Sequence, residues 1–74
     1  MVAAVRVDGI SFDIYPNDHS PPHTHVKLDG GRECRINLEL EDFMDAPPKG
    51  MGRKIMKLYR ENVEEIWGEW EKYH

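Results

Sequence analysis

Val5-Arg6-Val7-Asp8-Gly9-Ile10-Ser11-Phe12-Asp13-Ile14-Tyr15 is the stretch that decides the fold. Apolar and polar residues alternate on both sides of Asp8-Gly9, a dipeptide suited to the two-residue turns that join antiparallel strands, so the segment reads as a β-hairpin. Ile10, Phe12 and Ile14 fall on one face of its second strand, and Ser11 and Asp13 on the other. A sheet with one apolar face must bury it against another layer.

Working outward, Pro16-Asn17-Asp18 closes the second strand, and alternation resumes beyond Pro22. There Thr24, Val26 and Leu28 share one face, while His23, His25 and Lys27 share the other. Asp29-Gly30-Gly31-Arg32 is the next turn. A strand over about 33–40 then groups Cys34, Ile36, Leu38 and Leu40 against Glu33, Arg35, Asn37 and Glu39. From about Gly52 the apolar period lengthens to three and four residues, which places Ile55, Leu58, Tyr59, Asn62, Val63, Ile66, Trp70 and Tyr73 on one broad helical stripe. The stretch 42–50 contains Pro47-Pro48 and reads as a loop, with Asp42 and Asp45 as candidate caps of the helix. The expected fold class is α+β. It consists of a small antiparallel sheet of three to four strands followed by one long C-terminal amphipathic helix on its apolar face, in a single domain over 1–74.

Length and charge restrict what such a domain does. Seventy-four residues bury a modest core, so a bound metal or a second copy of the chain would add usefully to stability. Cys34 is the lone cysteine, which excludes an intramolecular disulfide and any multi-cysteine zinc site. Fourteen acidic residues against ten basic ones give a net charge of -4, which argues against nonspecific nucleic-acid binding by the domain as a whole. The opening Met1-Val2-Ala3-Ala4-Val5-Arg6 carries no long apolar run, so a cytoplasmic protein without membrane association is expected.

Three of the four histidines lie within seven residues around a double proline, in Asp18-His19-Ser20-Pro21-Pro22-His23-Thr24-His25-Val26. If a helix covers the face bearing Phe12, Val26 and Ile36, His23 and His25 stand on the opposite, solvent-facing side with Ser11, Asp13, Lys27, Arg35 and Asn37. Three readings follow. In the first, Pro21-Pro22 is a rigid connection and the rings bond only to backbone. In the second, His23 and His25, about 6.5 to 7 Å apart on one strand face, converge on one metal ion. His19 bends back across the prolines as a third ligand, and Asp18 or Asp13 serves as orienting group or fourth ligand. Zinc is the first expectation for that site, with nickel, copper or iron as other divalent candidates. In the third, His23 and His25 act as general base and acid while Lys27 and Arg35 stabilise phosphate charge, as in cleavage of RNA by its own 2′-hydroxyl. Cys34, expected to face the core, offers no nucleophile to either chemistry.

Lys49, Arg53, Lys54, Lys57 and Arg60 occupy the start of the helix, and Glu61, Glu64, Glu65, Glu69 and Glu71 its end, against the preference set by the helix dipole. Arg53, Lys57 and Arg60 recur at spacings of four and three. They form a stripe able to meet an acidic protein, a phosphate backbone or the acidic helix end of a second copy, and nucleic acid would bind only there. Trp67 and Trp70 read as core or interface packing. His74 is expected to fray.

The string His19-Ser20-Pro21-Pro22-His23-Thr24-His25-Val26, after Ile10-Ser11-Phe12-Asp13-Ile14-Tyr15 and before a helix running into Trp70, resembles the small bacterial proteins grouped as domain of unknown function 4160. The resemblance covers nearly the whole chain, and Lys49-Gly50-Met51-Gly52 departs from it by its glycines. It implies strands followed by a helix, a prokaryotic cytoplasmic origin and a role as a toxin-antitoxin candidate with a small protein partner; no activity comes with it. Together these observations lead to the expectation of a small binding module with a histidine-based metal site and a protein partner or homo-oligomer. The alternative is a ribonuclease-like or toxin-antitoxin component using the histidines for acid-base chemistry.

Overall fold

The computed structural model describes residues 3–74. Met1 and Val2, which belong to the opening segment read above, lie outside the described residues. Five antiparallel strands in the order β1 (Ala3–Val7), β2 (Ile10–Ile14), β3 (His23–Lys27), β4 (Glu33–Asn37) and β5 (Asp42–Phe43) form the sheet, and α1 (Gly52–Glu61) and α2 (Val63–Tyr73) follow. The fold is α+β with one more strand and one more helix than the periodicity suggests.

Asp8 and Gly9 both adopt positive φ, 50° and 76°, which is what a tight hairpin turn between twisted strands requires, and Val7 pairs with Ile10 across it. Register then sorts the faces. Val5, Phe12, Val26 and Cys34 lie side by side across four strands, and Ile36 opposes Thr24 on β3 and Phe43 on β5. On this face the helices contribute Ile55, Leu58, Tyr59, Ile66 and Trp70 to one continuous buried cluster. Cys34 lies inside it, and burial pushes its thiol up, away from the reactive thiolate.

Three local features depart from the expected pattern. The strand expected to run to Leu40 stops at Asn37, whose side-chain Oδ1 accepts the backbone N–H of Glu39 and of Leu40, both at 2.9 Å. A side chain that takes over two backbone donors offers the chain a turn in place of further ladder. Leu40 is therefore 75% exposed, and the chain reverses to add β5 within the stretch read as a loop. The helix breaks at Asn62, whose Nδ2 donates to the Leu58 carbonyl at 2.8 Å and whose φ of -121° leaves the helical range. Neither Asp42 nor Asp45 caps α1: Met51 occupies the cap position without a side-chain bond, Asp42 is in β5, and Asp45 binds Arg35.

Tyr59 is fully buried, and its hydroxyl has no hydrogen-bond partner among the described residues. Burial, with the Glu41 carboxylate adding to it, pushes the phenol up from 10.0 to about 12. A raised folded-state value favours the protonated form, so Tyr59 gives its full contribution below pH 10 and loses it as pH rises from 10 to about 12. Removing an unpaired buried hydroxyl relieves a desolvation cost of about 1 kcal/mol. Tyr59→Phe is expected to raise the thermal midpoint by roughly 4 to 8 °C and to flatten this alkaline decline. A lower midpoint in differential scanning calorimetry would contradict the orphaned hydroxyl.

Candidate metal centre

β3 delivers two imidazoles to the face of the sheet opposite Phe12, Val26 and Cys34. Val26 is locked between Phe12 and Cys34 on the covered face, so His25, between Asp13 and Arg35, and His23, opposite Asn37, stand on the other. The connection from β2 brings up a carboxylate. Pro16 sits at the second position of a turn closed by the Asp18 N–H donating to the Tyr15 carbonyl at 3.1 Å. Beyond it the Ser20–Pro21 peptide is cis, and the Pro22 carbonyl accepts from the Leu38 N–H at 2.9 Å, tying the connection to the end of β4.

Asp18 thereby bridges both rings. Its Oδ2 lies 3.1 Å from His23 Nε2 and 2.9 Å from His25 Nε2, and the three atoms are all within 4.8 Å of one another. Donor atoms bound at about 2.0 to 2.1 Å to one tetrahedral or octahedral ion stand about 2.8 to 3.4 Å apart, and both oxygen–nitrogen separations fall in that range. His23 Nδ1 lies 2.8 Å from the Pro21 carbonyl oxygen. A carbonyl only accepts, so Nδ1 carries a proton; Nε2 then meets Asp18 as a second N–H donor when the ring is charged, and as a free lone pair when it is neutral. A lone pair opposed to a carboxylate oxygen is repulsive unless a proton or a cation lies between them. The backbone carbonyl that fixes His23 in this tautomer is the kind of partner that orients metal-ligating histidines.

The surroundings are less open than the strand pattern alone suggests. His23 is only 7% exposed and Asp13 only 6%; Asp18 and Trp70 pack against His23, and Ser11 and Lys27 against Asp13. Tyr15 packs edge-on against His25 at 4.7 Å between ring centroids, His23 and His25 are 5.1 Å apart, and Trp70 lies 5.8 Å from His23.

His19, expected as the third ligand, is exposed and outside the group, and Asp18 is the residue that meets both imidazoles. Asp13 bonds elsewhere: its carboxylate accepts from the Ser11 hydroxyl and pairs with Lys27 at 3.4 Å. Lys27 also donates to the Tyr15 hydroxyl; that bond is the largest influence on its ammonium and, with a lesser contribution from Asp13, raises it above the ordinary lysine value although burial opposes it. Arg35 holds Asp45 through two bonds of 2.8 and 3.0 Å, which lower the Asp45 carboxyl below its usual range and raise the guanidinium. Both cations assigned to phosphate in the acid-base reading are thus already paired. Arg53, Lys57 and Arg60 line an exposed groove along α1, and among the described residues none lies within ion-pair distance of a carboxylate.

Sequence reasoning missed the contribution of the chain end to this region. His74, expected to fray, stacks on Trp70 with ring centroids 3.6 Å apart and reaches the Asp18 carbonyl at 3.0 Å. The signal was its spacing of four from Trp70, which puts both on one helical face. Among the described residues no helix is long and apolar enough to cross a membrane.

No curated protein and no solved structure matches the chain significantly. The family described as Domain of unknown function (DUF4160) matches residues 9–71, the hairpin turn through the last turns of α2 and hence the whole Asp18-His23-His25 group, and the chain belongs to that family.

Proposed function

We propose that this protein is a small binding module for one divalent transition-metal ion, zinc in the first instance, held by Asp18 Oδ2, His23 Nε2 and His25 Nε2. The observation that carries the reading is the pairing of two Nε2 atoms on a single carboxylate oxygen while His23 Nδ1 is committed to the Pro21 carbonyl. One divalent cation among the three atoms is shared by the carboxylate oxygen and the Nε2 lone pairs of both neutral rings. Two histidines and a carboxylate form a ligand set used by zinc and by non-haem iron(II), and three protein ligands leave a coordination position to water or a substrate. The paired state of Lys27 and Arg35 favours this reading over metal-free cleavage of RNA, for which both must face a phosphate. The exposed Arg53, Lys57 and Arg60 are the surface offered to an acidic protein partner or a second copy.

Protein purified without an affinity tag and dialysed against zinc is expected to retain one zinc per chain by elemental mass spectrometry. In NMR titrations the ring signals of His23 and His25 shift together up to one equivalent, and those of His19 stay in place. Absence of stoichiometric metal, or a coordinated shift that includes His19, overturns the proposed ligand set.

A further inference from the structure

We infer that the end of α2 is an outer clamp on this centre, in which His74 and Trp70 are positioning residues for Asp18 and His23; the inference rests on the metal reading above. Asp18 is carried by a connection whose next residues, His19, Ser20 and Pro21, are all exposed. Its backbone has two anchors. The N–H donates to the Tyr15 carbonyl within the local turn, and the C=O is held by His74 Nε2 at 3.0 Å across a separation of 56 residues.

His74 is itself held in place. Its ring lies on Trp70, 7° from parallel, with the ring centroids 3.6 Å apart. Trp70 in turn is 6% exposed and belongs to the core, and its ring meets that of His23. One helical turn therefore connects the buried cluster to two of the three ligands, one through its backbone and the other through its ring. A ligand on an exposed connection must be ordered when the ion binds, and a contact that orders it beforehand lowers that cost. Partners of this kind change metal affinity by about 10- to 100-fold.

Zinc affinity measured by competition with a chromogenic chelator tests the clamp, beside apo-protein thermal midpoints, for the wild type, His74→Ala and His74→Gln. His74→Ala is expected to weaken zinc binding about tenfold. Its apo midpoint should stay within about 4 °C of wild type, because His74 is exposed and its truncation opens no gap in the core. His74→Gln retains a donor for the Asp18 carbonyl and recovers most of the affinity. Equal affinity of wild type and His74→Ala overturns the clamp and leaves the metal reading standing. A loss of affinity that tracks a falling apo midpoint and is not recovered by glutamine assigns His74 a merely structural role and also overturns the clamp. A wild type that binds no zinc overturns both.

Discussion

Replacing His23 by alanine is expected to weaken zinc binding about a thousandfold. Zinc held by protein side chains is stabilised by about 10 to 16 kcal/mol at neutral pH, so one ligand of three carries about 4 kcal/mol. At about 1.4 kcal/mol per factor of ten, that is three decades of affinity. His23 is the informative position because its Nδ1 is anchored by the Pro21 carbonyl, so its Nε2 needs little reorganisation to reach the ion. It is also buried, and its removal leaves a gap beside Trp70. His25→Ala, at a more exposed ring, therefore serves as the companion variant, with a loss of the same order and less disturbance of the apo fold. Asp18→Asn removes the negative charge while preserving shape and is expected to behave like the histidine variants. His19→Ala should bind within about threefold of wild type, well under the tenfold lower limit for groups that touch a metal site even indirectly. Calorimetric titration separates these outcomes, and a large loss in His19→Ala with none in Asp18→Asn would restore His19 as the ligand.

The second large effect is in the core. Phe12 sits in β2 between Val5 and Val26, is fully buried, and has its ring 6.4 Å from that of Tyr59, so it joins sheet to helix at the center of the packed layer. Phe12→Ala is expected to cost about 3 to 5 kcal/mol. A chain of this size has a total stability of roughly 4 to 11 kcal/mol, so the substitution removes between about a quarter and all of it. Zinc at a thousand times its dissociation constant adds about 4 kcal/mol to the folded state. Urea denaturation followed by circular dichroism should then show an apo Phe12→Ala midpoint far below wild type that zinc restores. The double variant with His23→Ala should show no such restoration. A single substitution costing less than about 1 kcal/mol would place Phe12 outside the core, well below the range for a buried phenylalanine.

The α+β class and the sorting of faces were legible because they depend on strict alternation. Ile10, Phe12 and Ile14 could only share a face, and Asp8-Gly9 is one of the few dipeptides that accept positive φ at two successive positions. For the same reason the common face of His23, His25, Asp13 and Arg35 was readable from alternation alone. The lost details come from single side chains that outcompete a periodic pattern. Asn37 ends β4 by bonding two backbone donors, and Asn62 divides the helix in the middle of an apolar stripe that continues without interruption on both sides. β5 is two residues long, too short to show any period. The position of His19 outside the group, with Asp18, expected as orienting group or fourth ligand, set against both rings, has a similar origin: residue type favoured the histidine, and the turn from Tyr15 to Asp18 decides which side chain faces β3. The clamp from α2 joins residues 56 apart, and no local pattern encodes that contact.

The most direct test is anomalous diffraction at the zinc absorption edge from crystals of the zinc-loaded protein. One strong peak per chain is expected, about 2.0 to 2.2 Å from Asp18 Oδ2, His23 Nε2 and His25 Nε2, the bond lengths zinc makes to carboxylate and imidazole. A peak at His19, a peak elsewhere on the surface, or no peak in protein shown to be folded would contradict the centre described here.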